Sequence, residues 1–260
     1  MGRWRCQWRR ACICPLLGQG IGRAARRPGF PRRSPFATKP QMALALLAEV
    51  QASGVAPAPV LGDSAYGRNG PFRAGVRDLQ LECFLQIDPQ QLTGWARPVA
   101  LEKQRTRWQV RAGEAPTRKL AELFAAQPAV RWHPCTWKAA YGQTRHTRLA
   151  WLKVWLPGPL ERGQDHLEEL WLVVDWPAGQ AEAYHFYLAH LHRPPKRARC
   201  LLLSRLRWNI EQYFQRAKDD LGLDHYEGRS WRGFHHHLVM AVLADLFVVV
   251  VYLRAKKLLV

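Results

Sequence analysis

The chain has 260 residues, with 39 Lys plus Arg against 20 Asp plus Glu, a formal net charge of +19. Hydrophobic residues make up 48%, ordinary globular content that excludes a fully disordered chain and allows one large domain, or one domain carrying an insertion. The charge points to a polyanionic partner, nucleic acid or an anionic membrane surface, and says nothing about fold.

Residues 1–35 carry nine Arg and no acidic residue, several Gly and Pro, and no helical or strand periodicity. Such a composition reads as a disordered basic leader, with an arm on nucleic acid as the functional alternative. A translated non-native frame ahead of a truncated gene would look the same. Order is predicted to begin at Phe36. Thr38 caps a helix with Pro40 in its first turn, Met42, Leu44, Leu46, Leu47 and Val50 make it apolar, and Gly54 ends it. A short buried strand, Ala58 to Gly62, runs into Asp63. After a turn over Gly67 to Gly70, Phe72, Val76 and Leu79 mark a second helix, and Leu81 to Ile87 a second strand. Alternation of helix and strand predicts an α/β core.

The pattern changes over residues 91–187. Short aromatic runs between turns predict a mostly β segment with one short helix near 117–126. Leu170 to Trp176 reads as a strand, with Tyr184 to Leu188 its hairpin partner. After Pro194-Pro195 a long helix is predicted to about Leu221, and a last one from His235 to Leu253. The run Leu238 to Leu253 is apolar except for Asp245. It is shorter than the ~20 residues a spanning helix needs and has a charge in its middle, so it reads as a buried core helix. The six cysteines, Cys6, Cys12, Cys14, Cys83, Cys135 and Cys200, form no C-x-x-C pair. With no secretory signal recognisable, a cytoplasmic protein with free thiols is expected. His235-His236-His237 reads as the polar start of the last helix, since consecutive helical residues point ~100° apart and cannot ligate one ion.

On the long helix, Leu203, Leu206, Ile210, Phe214, Ala217 and Leu221 form a stripe that should face a core. Ser204, Arg207, Glu211 and Lys218 form a second, polar stripe, which sets one carboxylate between two cations. An ordinary i, i+4 pair on a solvated face would have the same spacing. The stretch from Arg207-Trp208-Asn209-Ile210-Glu211 through Lys218 to Leu221-Gly222-Leu223-Asp224-His225-Tyr226-Glu227-Gly228-Arg229-Ser230-Trp231-Arg232-Gly233 resembles the C-terminal signature of DDE transposases from bacterial insertion sequences. That branch carries a Y-x2-R-x3-E-x6-K motif; Arg207, Glu211 and Lys218 match its R, E and K, while Ser204 stands at the Y position. Gly62-Asp63-Ser64-Ala65-Tyr66-Gly67, followed by Phe72-Arg73, resembles the second-aspartate strand of the same proteins, and the resemblance covers about residues 36–260.

The resemblance implies an RNase H-like α/β catalytic core: its first part over 36–90, a mostly β insertion domain over 91–187 and the C-terminal helical part over 188–260. In the family three carboxylates hold two Mg²⁺ (or Mn²⁺) ions that activate the attacking oxygen and stabilise the leaving one. Asp63 matches the second carboxylate and Glu211 the third, as catalytic and metal-binding residues. Arg207, Lys218 and Arg229 would hold phosphates, and Tyr66, Trp208 and Trp231 would stack on an unpaired base; core or surface packing is the plain alternative for each ring. Double-stranded DNA, at element ends and target, is the implied partner, with a homodimer in the synaptic complex. Ahead of Asp63 the only acidic residue is Glu49, inside the predicted first helix. The core is therefore expected to be incomplete, an N-terminally truncated and inactive fragment with an exposed edge at the Asp63 strand. A non-catalytic DNA-binding protein derived from a transposase is the second reading. A membrane-associated basic protein is the third, and Asp245 weighs against it.

Overall fold

The computed structural model describes residues 37–104, 107–111, 113–138, 143–157, 167–181, 185–228 and 230–258. The leader over residues 1–35, Cys6, Cys12, Cys14 and Arg229 lie outside them. The chain divides into a sheet unit, residues 43–207, and a helical unit made of residues 37–42 and 208–258 among those described.

The first helix, α1 (Lys39–Ala52), starts where the sequence predicts. Thr38 Oγ1 faces the Gln41 backbone N–H at 3.5 Å, and Gln41 Oε1 accepts from the Thr38 N–H at 2.8 Å, a reciprocal capping box. Gly54, at φ +81°, follows its end, in the left-handed region that favours glycine. Then come β1 (Val60–Gly62), α2 (Ser64–Gly67), α3 (Gly70–Asp78) and β2 (Cys83–Ile87). Two small two-stranded sheets follow, one of β3 (Thr93–Gly94) with β6 (Arg118–Lys119), the other of β4 (Leu101–Gln104) with β5 (Arg107–Val110). The short helix expected near 117–126 is α4 (Leu120–Ala125).

Four long strands complete the sheet unit: β7 (His133–Lys138), β8 (Thr144–Pro157), β9 (Leu167–Pro177) and β10 (His185–His190). They continue the sheet that begins with β1 and β2. One mixed sheet runs β1-β2-β10-β9-β8-β7. β1 and β2 are parallel, and β10 joins them antiparallel, Leu188 opposite Leu85. The β9–β10 hairpin that the sequence suggests is present, with Leu188 opposite Leu172. Hydrophobic pattern drives the merger. β9 is buried on both faces from Leu172 to Asp175, and only strands on either side with layers above and below can cover such a strand. β1 sits at one end of the sheet and is three residues long.

Strand alternation sorts the core into two layers. On one face, Phe84, Leu149, Val173, Tyr187 and Ala189 pack with Cys200 and Leu203, which belong to α5 (Arg197–Asp219). On the other, Ile87, Val154, Leu170, Leu172, Val174 and Leu188 pack with Leu120 and Leu123 of α4. A third cluster joins Phe72 and Val76 of α3 to Leu81, Cys83 and Leu85, with Leu44 and Leu47 of α1 against it.

One polar tie crosses this apolar packing. The Glu168 side chain is fully buried and receives both Nε and Nη2 of Arg73, at 3.0 and 2.6 Å; Arg77 Nη1 adds a contact at 3.0 Å. Arg73 Nη1 also donates to the Gly67 carbonyl at 2.6 Å.

The helical unit corrects two expectations. The last helix is α6 (Trp231–Leu258), longer than predicted at both ends, and it is not a buried core helix. Val239, Leu243, Leu246, Phe247, Val250, Val251 and Leu253 are all exposed, while Ala241 and Asp245 are buried. Over Trp231–Ala255 it is long and apolar enough to cross a membrane. Asp245 is not stranded in an apolar surround: Arg216 of α5 donates to it at 3.2 Å. The apolar stripe of α5 is likewise only partly covered. Leu203 and Ala217 are buried, whereas Leu206, Ile210 and Phe214 are exposed. Periodicity marks a face that wants burial, and it cannot name what buries it.

Removing half of the buried ion pair strands a charge. Glu168→Gln is expected to cost about 3–5 kcal/mol, read as a lower urea midpoint with unchanged m-value. The pH dependence of stability has a definite sign. Burial is the leading cause that lowers the pKa of His133, His185 and His190 from the ordinary 6.5. The folded chain therefore binds fewer protons than the unfolded one, so stability is full above about pH 6.5 and falls as the pH drops through the lowered values. A thermal melt at about pH 5.5 should show a lower midpoint than at about pH 7.5, and His190→Gln should narrow the difference.

Candidate functional site

The Gly-Asp-x-x-Tyr-Gly run decodes into local geometry. Gly62 ends β1 where a Cβ would come within 3.0 Å of Leu85 and 3.3 Å of Tyr66. Asp63 is the N-cap of α2: its Oδ1 accepts from the Ala65 N–H at 2.9 Å, and its carbonyl from the N–H groups of Tyr66 and Gly67. Tyr66 packs on Phe72, ring centroids 5.0 Å apart. Gly67 lies so close to β2 that a Cβ would fall 2.1 Å from the Gln86 carbonyl oxygen, so only glycine fits. Through Arg73 the same Gly67 carbonyl is tied to buried Glu168.

The result is an exposed carboxylate on a backbone fixed from three sides. One Asp63 oxygen holds the cap. The buried acids of the sheet unit are committed elsewhere: Glu168 to two arginines, and Asp175 to the Thr147 hydroxyl and to Arg205 at 2.7 Å. Arg205 is held over the Trp137 ring at 3.9 Å. The sheet-unit thiols Cys83 and Cys200 are buried, and burial pushes each up to about 11. A thiol with that pKa is almost wholly protonated at neutral pH and is a poor nucleophile.

Arg207 closes the sheet unit, and the other motif residues of α5 belong to the helical unit. Glu211 and Lys218 are exposed, Arg207 is half-buried, and Trp208 is 54% exposed. Ser204, at the motif's tyrosine position, is buried, its hydroxyl donating to the Leu201 carbonyl at 2.9 Å. The predicted polar stripe is therefore not one solvated face. Neither unit by itself brings Asp63 and Glu211 together. Among the described residues no group of three or more His, Cys, Asp or Glu side chains is placed to hold a metal ion.

The downstream signature is a connector with its own physics. Gly222, at φ +63°, turns the chain after α5, and the Leu223 N–H donates to the Ala217 carbonyl at 2.7 Å. Ser230 caps α6 through the Gly233 N–H at 3.0 Å, and the Tyr226 hydroxyl donates to the Ser230 carbonyl at 3.0 Å. His237 Nε2 lies 2.9 Å from the Gly222 carbonyl, and His235 Nδ1 lies 2.9 Å from that of Trp231. Two of the three histidines thus serve the helix start. Trp231 packs its ring on His235, centroids 4.0 Å apart.

Residues 6–146, more than half of the chain, match the family described as DDE superfamily endonuclease. The chain belongs to this family. No curated protein sequence matches it. The family span takes in Asp63, Tyr66 and Arg73 and stops short of Glu211. It also reaches back through most of the Arg-rich leader, so the expectation that the likeness starts at residue 36 is corrected. For a DDE endonuclease the substrate class is DNA and the usual helper is a divalent metal; within this span Asp63 directly follows β1 with its side chain exposed, and Asp88 directly follows β2.

The cap separates two roles of Asp63. Asp63→Asn retains a capping oxygen and should leave the thermal midpoint nearly unchanged, whereas Asp63→Ala should cost about 0.5–2 kcal/mol. Chemical denaturation of the two variants checks this.

Proposed function

We propose that the chain is a transposase-type protein of the insertion-sequence branch, built on an RNase H-like core, that binds duplex DNA and does not cut it alone. The observation that carries this reading is the Asp63 turn within the family-matched span: an exposed carboxylate at the end of an edge strand, locked by Gly67 and Arg73. Catalytic and metal-binding roles fall to Asp63 and Glu211, whose hard oxygens suit Mg²⁺ or Mn²⁺. Two carboxylates fall short of what two divalent ions need, and only Glu49, exposed on α1, precedes Asp63 in the 260 residues.

Arg207 and Lys218 lie four residues before and seven after Glu211 on α5, where cations favour a phosphate beside that carboxylate. Of the three rings Tyr66, Trp208 and Trp231, Trp208 is the exposed one, which suits stacking on a base. Tyr66 and Trp231 already have ring contacts, so packing is the part of their role that geometry supports. Arg229 joins the proposal on sequence alone, as do a homodimer at synapsis and a cytoplasmic location. The second reading is a non-catalytic DNA-binding protein derived from a transposase.

A supercoiled-plasmid assay with Mg²⁺ or Mn²⁺ should show no nicking while a duplex mobility shift, weakened by salt, persists. Nicking that disappears in both Asp63→Ala and Glu211→Ala would instead establish an active nuclease.

A further inference from the structure

One stretch of the sheet unit stands out for its charge. From Leu123 to Leu160 the chain has no Asp or Glu, but it carries Arg131, Lys138, Arg145, Arg148 and Lys153. Most of this stretch folds as the β7–β8 hairpin. Thr147 pairs with Pro177 at the end of β9 and the His146 carbonyl still accepts from the Ala178 N–H at 3.0 Å, so residues 144–145 of β8 pair only with β7. Beyond that point the sheet narrows to a two-stranded ribbon. Lys138, Arg145 and His146 are exposed on it, and Arg148 is exposed at its base.

The arginine at the base is preset. Arg148 lies over the Trp176 ring at 3.8 Å and 5.1 Å from the Trp132 centroid, and these two rings meet edge-on at 5.5 Å. Stacking fixes the guanidinium plane and leaves its N–H edge as a donor. The rings are thereby occupied and do not offer a face to an unpaired base. Nearby carboxylates are committed, Asp175 to Arg205 and Glu169 to Lys153. Among the described residues Lys138, Arg145 and Arg148 form no ion pair. Lys138, paired with Thr144, shares a face with Arg148, and alternation turns Arg145 to the other face. Unneutralised cations on both faces of an edge ribbon, with no anion in the same stretch, suit the two phosphate lines that border a groove. A two-stranded ribbon also has the width that a DNA groove admits.

We infer that the two-stranded end of β7–β8 is a duplex-DNA contact surface, separate from the Asp63 turn, which grips backbone phosphates through Lys138, Arg145 and Arg148. It rests on the DNA-binding reading above and adds where the sheet unit meets the duplex. The contact is phosphate-directed, so it is indifferent to sequence and strongly salt-dependent.

The test uses the full chain and a fluorescent duplex of about 20 bp, titrated at several salt concentrations. A Lys138→Gln, Arg145→Gln, Arg148→Gln variant should bind about ten- to a hundredfold more weakly, and its log–log salt slope should be lower by about two to three. A control variant with the same charge change, Arg97→Gln, Arg111→Gln, Lys119→Gln, should keep both nearly unchanged. Should the triple variant fail to fold by circular dichroism, Lys138→Glu with Arg145→Glu spares the Arg148 stack and should give the same loss. Wild-type binding that survives either ribbon variant, or falls equally in the control, overturns this inference and leaves the DNA reading standing. A wild-type chain that binds no duplex overturns both. Preference for anionic phospholipid vesicles over duplex, lost in the ribbon variants, reassigns the surface and overturns it as a DNA contact.

Discussion

The Arg73–Glu168 pair is the constraint on which the geometry of the sheet unit turns. It joins α3 to the middle of the sheet across 95 residues of sequence, and its spare N–H holds the Gly67 carbonyl. A lone carboxylate in that position would be expelled or protonated, because burying an unpaired charge costs several kcal/mol. Here two arginines and a bidentate geometry offset the cost, and the return is positional. The turn that carries Asp63 is clamped between β2, where Gly67 admits no Cβ, and a guanidinium that cannot move without stranding Glu168. The carboxylate in solvent is thus presented by a frame whose rigidity comes from polar atoms out of solvent.

Sequence periodicity reveals much of this frame. The capping box at Thr38, the Val60–Gly62 and Cys83–Ile87 strands, the short helix near residue 120 and the β9–β10 hairpin all follow from local rules of capping, alternation and turn chemistry. Long-range pairing does not follow from them. Nothing in the local pattern of Phe186 to His190 says that it lies against β2, so one continuous sheet reads in sequence as a core plus an insertion. The role of Arg73 is hidden for the same reason. Its partner sits in a strand where Glu168 and Glu169 look alike, yet one is fully buried and the other pairs with Lys153 at the surface. Alternation could have flagged Glu168, since it occupies the inward register shared with Leu170 and Leu172.

The two signature motifs fare differently, and the difference is physical. Around Asp63 nearly every motif residue has a structural reason to be what it is: a close approach at Gly67, a cap at Asp63, a ring contact at Tyr66. That leaves the second Asp63 carboxylate oxygen without a share in the cap. On α5 Glu211 keeps its motif spacing to Arg207 and Lys218, and Gly222 to Gly233 serve in turning the chain and starting α6. A motif match therefore transfers geometry more securely than it transfers catalysis. The exposed apolar flank of α6 makes the same point from the other side. A stripe of Val, Leu and Phe is strong evidence for burial somewhere, yet this flank is exposed while Asp245 is buried and bonded to Arg216.

Charge also divides by use. A net +19 suggests one diffuse basic surface, but many of the arginines are structural. Arg73 and Arg77 neutralise Glu168, Arg199 pairs with Glu82, Arg205 with Asp175 and Arg216 with Asp245. Each pairing consumes one of the scarce carboxylates. An acid-poor chain that spends its acids on internal ties leaves the remaining cations uncompensated, and they accumulate where the sequence has no acid to offer. Nine of the net +19 charges are the arginines of residues 1–35, and the β7–β8 ribbon adds Lys138, Arg145 and Arg148 in a stretch with no acid, so the same arginine-rich composition both builds the interior clamps and leaves cations uncompensated at the surface.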